Sequence, residues 1–334
     1  MCPVIPKRIL IIQTAFIGDV ILSTSLVESL KKEFPDSELD FLLRKGNEQL
    51  FEHNPNVHKV LVWDKKENKL QNLAKVIKEV RASQYDLLVN LQRYFSTGLI
   101  AFFSKAKCKI GFSQNLFSFC YNKKVQHVMT EGTHDIIRNH RLIENLTLSE
   151  PQKPKLYPSD KQYANVKGYK TAKFITIAPA SVWFTKQFPE HKWIEFLDQL
   201  KFDGQVYFVG APSDRKLCDR IIKTNEKNIG KNLCGEMSLL ESAALMKDAE
   251  MNFVNDSAPQ HICSALDAPV TTVFCSTIPE FGFGPLSSNS RVVETNKKLD
   301  CRPCGLHGHK QCPKGHFECA NSIDVSELNF ISED

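Results

Sequence analysis

Three short stretches of this 334-residue chain carry residue types able to act on a charged substrate, and each directly follows an apolar run. The first is Gln13-Thr-Ala-Phe-Ile-Gly-Asp19, which sets Gly18 and Asp19 at the start of a helical pattern. A carboxylate there has two readings. It caps the helix by accepting backbone N–H groups, or it serves as a general base that takes the proton of a substrate hydroxyl. The second is Pro179-Ala-Ser-Val-Trp-Phe-Thr-Lys-Gln-Phe-Pro189. Ser181, Thr185 and Lys186 bring hydroxyls and an ammonium group just ahead of a helix start, a set suited to phosphate, whereas a lone loop lysine is usually only solvated. The third is Asn255-Asp-Ser-Ala-Pro-Gln-His261. Pro259 has no N–H to lose and fits a first helical turn, so Asp256, Ser257 and Ala258 fall at a helix N-terminus, an anion-binding geometry. Asp256 reads as the cap, Ser257 and the nearby amides as phosphate contacts, and His261 as either a ligand contact or a brace for the loop. Arg93, after the run Asp86 to Leu91, reads as a contact to an acceptor phosphate or carboxylate, or as an ordinary surface residue.

Missing motifs narrow the chemistry. There is no G-x-x-x-x-G-K-[ST] loop, no G-x-G-x-x-G after the first apolar run and no D-x-D. Kinase, classical dehydrogenase and metal-dependent transferase readings all weaken. A diphosphate held without a metal needs lysine and helix-end amides to offset its charge, and the second and third stretches offer both.

The elements that must position these loops alternate short apolar runs with longer amphipathic segments, the pattern of βαβ units and a parallel sheet. Strands are expected at Arg8 to Gln13, Glu38 to Leu43, Val57 to Trp63, Asp86 to Leu91 and Lys109 to Phe112. An amphipathic helix is expected at Asp19 to Phe34, ended by Pro35. A second series has strands at Lys173 to Ala178, Gln205 to Val209, Met251 to Asn255 and Val270 to Phe274. Between the series lies Glu150-Pro-Gln-Lys-Pro-Lys-Leu-Tyr-Pro158, whose prolines disfavour helix and central strand and suit an extended interdomain linker. Two doubly wound α/β domains follow, 1–155 and 156–334, with ligands outside the carboxyl ends of the strands.

A hydrophobic content of 42%, a charged content of 24% and a net charge of +5 describe an ordinary globular chain. No dense basic tract interleaved with aromatics supports nucleic-acid binding. The longest apolar run is shorter than the ~18 to 20 residues of a spanning helix, and the amino end reads as a strand rather than a signal peptide. A cytoplasmic protein with no evident amphipathic anchor is expected. Of 11 cysteines, seven are scattered through apolar surroundings as small hydrophobes. Cys301, Cys304, Cys312 and Cys319, with His307, His309 and His316, form a cluster whose spacing is only partly that of a zinc site, since the second pair lacks tight spacing. A stabilising tail packed beside the second domain is the reading preferred over zinc.

Taken in order, these stretches resemble the ADP-heptose:lipopolysaccharide heptosyltransferases, glycosyltransferase family 9. The resemblance runs nearly end to end: Arg8-Ile-Leu-Ile-Ile with Gly18-Asp-Val, Pro179-Ala-Ser-x-Trp-x-x-Lys-x-x-Pro189, Asn232-Leu-Cys-Gly-x-Met-Ser-Leu239, Asn255-Asp-Ser-x-Pro-x-His261 and Phe274-x-x-Thr-x-Pro279. It implies a GT-B architecture, donor bound by the C-terminal domain, acceptor by the N-terminal domain, and an inverting displacement at the anomeric carbon without cofactor. Asp19 would be the base and Lys186 would stabilise departing ADP. Ser181, Ser257 and the amides near Asp256 would hold the diphosphate, Met237 would lie by the adenine, and Asp214 would meet the ribose or cap a helix. The partners implied are ADP-heptose and a lipid A-core acceptor met at the inner face of the cytoplasmic membrane. Departures from the family pattern fall in the donor pocket: Ala258 replaces a glycine, Ile278 an aspartate, and Gln187-Phe188 an Arg-Trp pair. They leave open another nucleotide-sugar, and a non-catalytic binder is the alternative of a different class.

Overall fold

The computed structural model describes residues 5–129 and 132–328. The chain divides into two compact units, Met1–Tyr157 and Pro158–Asp334. In the first, β-branched and leucine-rich runs form β1 (Arg8–Ile12), β2 (Glu38–Arg44), β3 (Lys59–Trp63), β4 (Leu87–Asn90), β5 (Cys108–Phe112) and β6 (Lys123–Val125). Between them lie α1 (Ile17–Glu33), α2 (Lys69–Ala82) and α3 (Phe95–Phe103), and α4 (Asp135–His140) follows β6. All pairings are parallel, in the order β3-β2-β1-β4-β5-β6. Ile9 is in register with Leu39 on one side and Leu87 on the other, so β1 is central and buried on both faces.

The second unit repeats the plan. Its strands are β7 (Phe174–Ala178), β8 (Gln205–Phe208), β9 (Lys231–Asn232), β10 (Met251–Asn255), β11 (Val270–Phe274) and β12 (Ser290–Glu294), ordered β12-β11-β10-β7-β8-β9 and all parallel. Its helices are α5 (Asp160–Asn165), α6 (Glu190–Gln199), α7 (Arg215–Thr224), α8 (Leu239–Lys247), α9 (Ala258–Leu266) and α10 (Glu318–Asn321). Numbered within its own unit, each sheet reads 3-2-1-4-5-6. The strand order therefore reverses between β1 and β4 and again between β7 and β10, the switch points where open α/β sheets bind ligands.

Two expectations change on contact with the structure. Helix α1 is not an amphipathic surface helix, because Val20 through Leu30 are buried all round. The segment expected to be a spacer covers it: Gln152 N–H donates to Ser29 Oγ at 3.2 Å, Lys155 N–H to Thr24 Oγ1 at 2.9 Å, and Tyr157 Oη–H to Glu28 at 2.9 Å. The prolines keep this stretch extended while α1 hydroxyls satisfy its amides. The carboxyl-terminal tail, in turn, is part of the second unit's core, where Phe317, Cys319, Ala320 and Ile323 pack with Ile175, Phe196 and Val273.

Candidate functional site

In the first unit, the loop from β1 and the loop from β4 meet at the switch point. Gln92 donates its side-chain amide to Gln13 Oε1, and both residues are buried. Gln13 Oε1 also accepts from Ala15 N–H at 3.3 Å, which shapes the turn into α1. Gly18 and Asp19 lie in the first turn of that helix. Asp19 Oδ2 accepts from Phe16 N–H at 3.1 Å, so the capping role weighed for this carboxylate is realised. The bond orients the carboxylate at the carboxyl end of the central strand and does not oppose a role as base. Arg93 is exposed, beside His127, whose imidazole is lowered by burial and then by Arg93.

Two cations not singled out from the sequence flank the same loop. Arg44, at the end of β2, stacks over the Phe16 ring with its guanidinium carbon 4.7 Å from the centroid. Burial pulls its pKa below the ordinary guanidinium value, and the Asp19 carboxylate opposes that shift. Lys65, just beyond β3, donates to Thr14 O at 2.8 Å and Thr14 Oγ1 at 3.0 Å, and sits 4.6 Å from the Trp63 ring centroid. Burial, reinforced by Arg44 and Lys69, pushes its ammonium down to about 8. A cation held against its own solvation in this way is a group ready to accept an anion. Each comes from a different loop, so no local spacing marked them.

In the second unit the loops after β7 and β10 are joined by Asn255. Its side chain accepts from Phe188 N–H at 2.9 Å and donates to Pro179 O at 2.7 Å, pinning both ends of the Pro179–Pro189 loop. Lys186, inside that loop, forms an ion pair of 2.6 Å with Asp256 Oδ2, and Thr277 Oγ–H donates to the same oxygen at 2.6 Å. The pair is largely buried, with side-chain exposures of 14% and 5%. Asp256 is therefore not the helix cap expected of it: Ser257 occupies the N-cap position of α9, and Asp256 holds the lysine instead. Its own N–H is spent on Val273 O, Gln260 N–H goes to Ser257 O, and Pro259 has none. Among the described residues, the amides at this helix end that face no such partner are those of Ser257 and Ala258. His261 is buried in the helix.

The other sequence candidates are distributed around this centre. Ser181 and Met237 are half-buried in their loops. Asp214 accepts from Ala211 N–H at 2.9 Å and Ser213 Oγ–H at 3.0 Å, the capping role that was one of its two readings. Thr185, expected to offer its hydroxyl to phosphate, is buried and turned to the protein: Thr185 Oγ1 accepts from His309 N–H at 2.7 Å and from Ser276 Oγ–H at 3.0 Å.

That contact belongs to the tail, which braces the centre from behind. Arg302 donates to Cys275 O at 2.8 Å and Thr277 O at 2.8 Å, fixing the loop that presents Thr277 to Asp256. Gly308, with φ at +72°, lies so close to the stem of Lys186 that a β-carbon there would approach Lys186 Cγ to 2.9 Å. Among the cysteines, Cys304 Sγ donates to Cys301 O at 3.1 Å and Cys301 Sγ lies 3.8 Å from His316 Nε2. Burial, with repulsion from Cys304 and Cys312, pushes the Cys319 thiol up to about 12. Among the described residues, no group of three or more His, Cys, Asp or Glu side chains is arranged to hold a metal ion. Of the cysteines expected to be small hydrophobes, Cys108 departs from the pattern in being disulfide-bonded.

Paired doubly wound units of this kind make up the GT-B class of α/β enzymes, and solved structures share the plan. A glycosyl transferase family 9 protein from Veillonella parvula DSM 2008 superposes with a TM-score of 0.79 at 24% identity, over 86% of each chain. The ADP-heptose lps heptosyltransferase II of E. coli superposes with a TM-score of 0.76 at 20% identity, over 96% of this chain and 99% of that one. Among curated proteins, Lipopolysaccharide heptosyltransferase 3 of Escherichia coli (strain K12) is 27% identical over 279 residues, 78% of this chain and 80% of that one. Residues 73–315 match Glycosyltransferase family 9 (heptosyltransferase), and the chain belongs to that family. It is a glycosyltransferase.

Proposed function

We propose that this enzyme transfers heptose from ADP-heptose to the lipopolysaccharide inner core, with inversion at the anomeric carbon and no metal. The observation that carries the reading is the Lys186 ammonium, fixed by Asp256 and Thr277 at the amino end of α9. An ammonium and two helix-end amides offset the charge that builds on the β-phosphate as the bond from sugar C1 to phosphate oxygen breaks. ADP leaves as that bond opens. An acceptor hydroxyl oxygen forms the new bond to C1 from the opposite face, and its proton passes to Asp19. In this reading the first unit holds the acceptor, with Gly18, Arg93, Arg44 and Lys65 beside its anionic groups. The second holds the donor, with Ser181, Ser257 and Ala258 at the diphosphate, Met237 by the adenine and Asp214 near the ribose. Asp256 acts by orienting Lys186, and Thr185 by anchoring its loop to the tail. Work on a lipid-linked acceptor puts the enzyme in the cytoplasm, at the inner surface of the membrane.

The test is incubation with ADP-heptose and a truncated lipid A-core acceptor, with and without EDTA, read by mass spectrometry. One added heptose in both samples is expected. Transfer only from a UDP- or GDP-sugar would assign the fold to a different donor, and loss of transfer in EDTA would end the metal-independent mechanism.

A further inference from the structure

Helix α3 presents an unpartnered apolar face. Phe95, Leu99 and Phe102 recur at helical spacing, and Phe95 and Phe102 are exposed. The face continues onto the loop between β5 and β6, where Leu116 is 68% and Phe119 66% exposed. The rings form one connected surface: Phe102 has its centroid 4.9 Å from Phe103, 5.7 Å from Phe117 and 5.8 Å from Phe119, and Phe95 lies 5.2 Å from Phe117. Gly98 makes the continuity possible, since a β-carbon there would collide with the Asn115 side chain and bring 2.9 Å contact with Phe117. Solvent-exposed phenylalanines in a contiguous cluster mark an interaction surface.

The charged residues of the segment that carries the cluster have one sign. From Leu87 to Thr130 the chain holds six Lys and Arg residues and no Asp or Glu. Lys105, Lys107 and Lys109 follow Phe103 directly, and Lys109 Nζ lies 3.5 Å from Phe102 O at the edge of the rings. Arg93 stands just before α3. Lys107 pairs with Asp86 yet remains 71% exposed. Apposing two copies of this face would bring like charges together, whereas an anionic headgroup layer complements them. Among the described residues no helix is long and apolar enough to cross a membrane.

We infer that the aromatic face of α3 and the β5–β6 loop docks on an anionic phospholipid bilayer, with phenyl rings entering the interface and the lysines meeting the headgroups. The inference extends the lipid-linked acceptor reading, on which it rests for the identity of the bilayer. Its geometry has an independent basis in the surface itself. Arg93, proposed above as an acceptor contact, immediately precedes this helix, so docking would bring the acceptor loop to the membrane surface.

The test is co-sedimentation of the full chain with phosphatidylglycerol-containing vesicles and with pure phosphatidylcholine vesicles. Wild type is expected to bind the anionic vesicles at least about tenfold better, and Phe102→Ser with Phe119→Ser to lose about tenfold or more, with an unchanged thermal melt. Should that variant misfold, Phe119→Trp supplies a second readout, with a blue-shifted emission expected on anionic vesicles alone. Equal binding by folded wild type and double variant overturns the inference, as does an unshifted tryptophan. A concentration-dependent dimer abolished by the same substitutions would overturn it in favour of self-association. Transfer to a soluble, deacylated acceptor is expected to be unchanged in the double variant. Vesicle binding without transfer from ADP-heptose to any acceptor would defeat the catalytic reading and leave the docking surface standing.

Discussion

Helices α1 and α9 each begin after a strand at their sheet's switch point, β1 and β10, and they are wired in opposite senses. The first turn of α1 contains its own carboxylate, and Asp19 already accepts an amide there. The first turn of α9 contains no acidic residue. The nearby Asp256 is drawn away from the helix end by Lys186 and Thr277. One helix end therefore holds a fixed negative group and suits a proton acceptor, while the other keeps amides and an ammonium for an anion brought by the substrate. The same backbone plan supports two chemical tasks because a single side chain differs in where it binds.

The sharpest way to break this comparison is to neutralise the first helix end. Asp19→Asn keeps an oxygen for Phe16 N–H but cannot take a proton, so the transfer rate is expected to fall about 10² to 10⁴-fold in single-turnover assays, with folding intact. A retained rate would reduce Asp19 to its capping role.

The second prediction concerns the opposite end. Lys186→Met leaves Asp256 buried without its cation and is expected to cost about 3–5 kcal/mol in denaturant unfolding. Adding Asp256→Leu should recover most of that stability without recovering ADP binding. Recovery of both would show that the ion pair matters only for folding.

A smaller effect separates the cations of the first unit from a general basic surface. The Lys65 ammonium, at about 8, lies below its ordinary value of 10.5. Between those values the unfolded chain holds a proton that the folded chain lacks, so this group's contribution to stability rises with pH across that window and is smallest below it. Anion binding needs the ammonium, and acceptor affinity is therefore expected to weaken as pH rises through about 8. Lys65→Arg, charged throughout, should flatten the profile of acceptor KM against pH. An unchanged profile would remove Lys65 from the acceptor site.

Much of this organisation was legible in the chain. β10 and β11 fall on the expected runs Met251–Asn255 and Val270–Phe274, because strands buried on both faces are continuously apolar. The strands left unseen, Lys123–Val125, Lys231–Asn232 and Ser290–Glu294, are short, partly exposed and at sheet edges, where polar residues cost little and no apolar run builds up. The site divides the same way. Asp19, Lys186 and Ser257 sit where strand gives way to helix, and that pattern is local. The pairing of Lys186 with Asp256, the convergence of Arg44 and Lys65 on the first loop, and the burial of Thr185 against the tail join residues far apart in sequence. Only the assembled sheets bring them together. The exposed phenylalanines are not legible in the sequence for a related reason, since an apolar helix face reads as core until its neighbours are known.

The division of roles between the two helix ends turns on where the diphosphate binds. Calorimetric titration of ADP into wild type, Asp19→Ala and Ala258→Asp compares the two helix ends in one measurement. A carboxylate added to the first turn of α9 would copy the wiring of α1, with little harm to the helix itself. The predicted result is ADP affinity unchanged by Asp19→Ala and at least about tenfold weaker with Ala258→Asp. Undiminished binding by folded Ala258→Asp, or a loss on removing the Asp19 carboxylate, would contradict it.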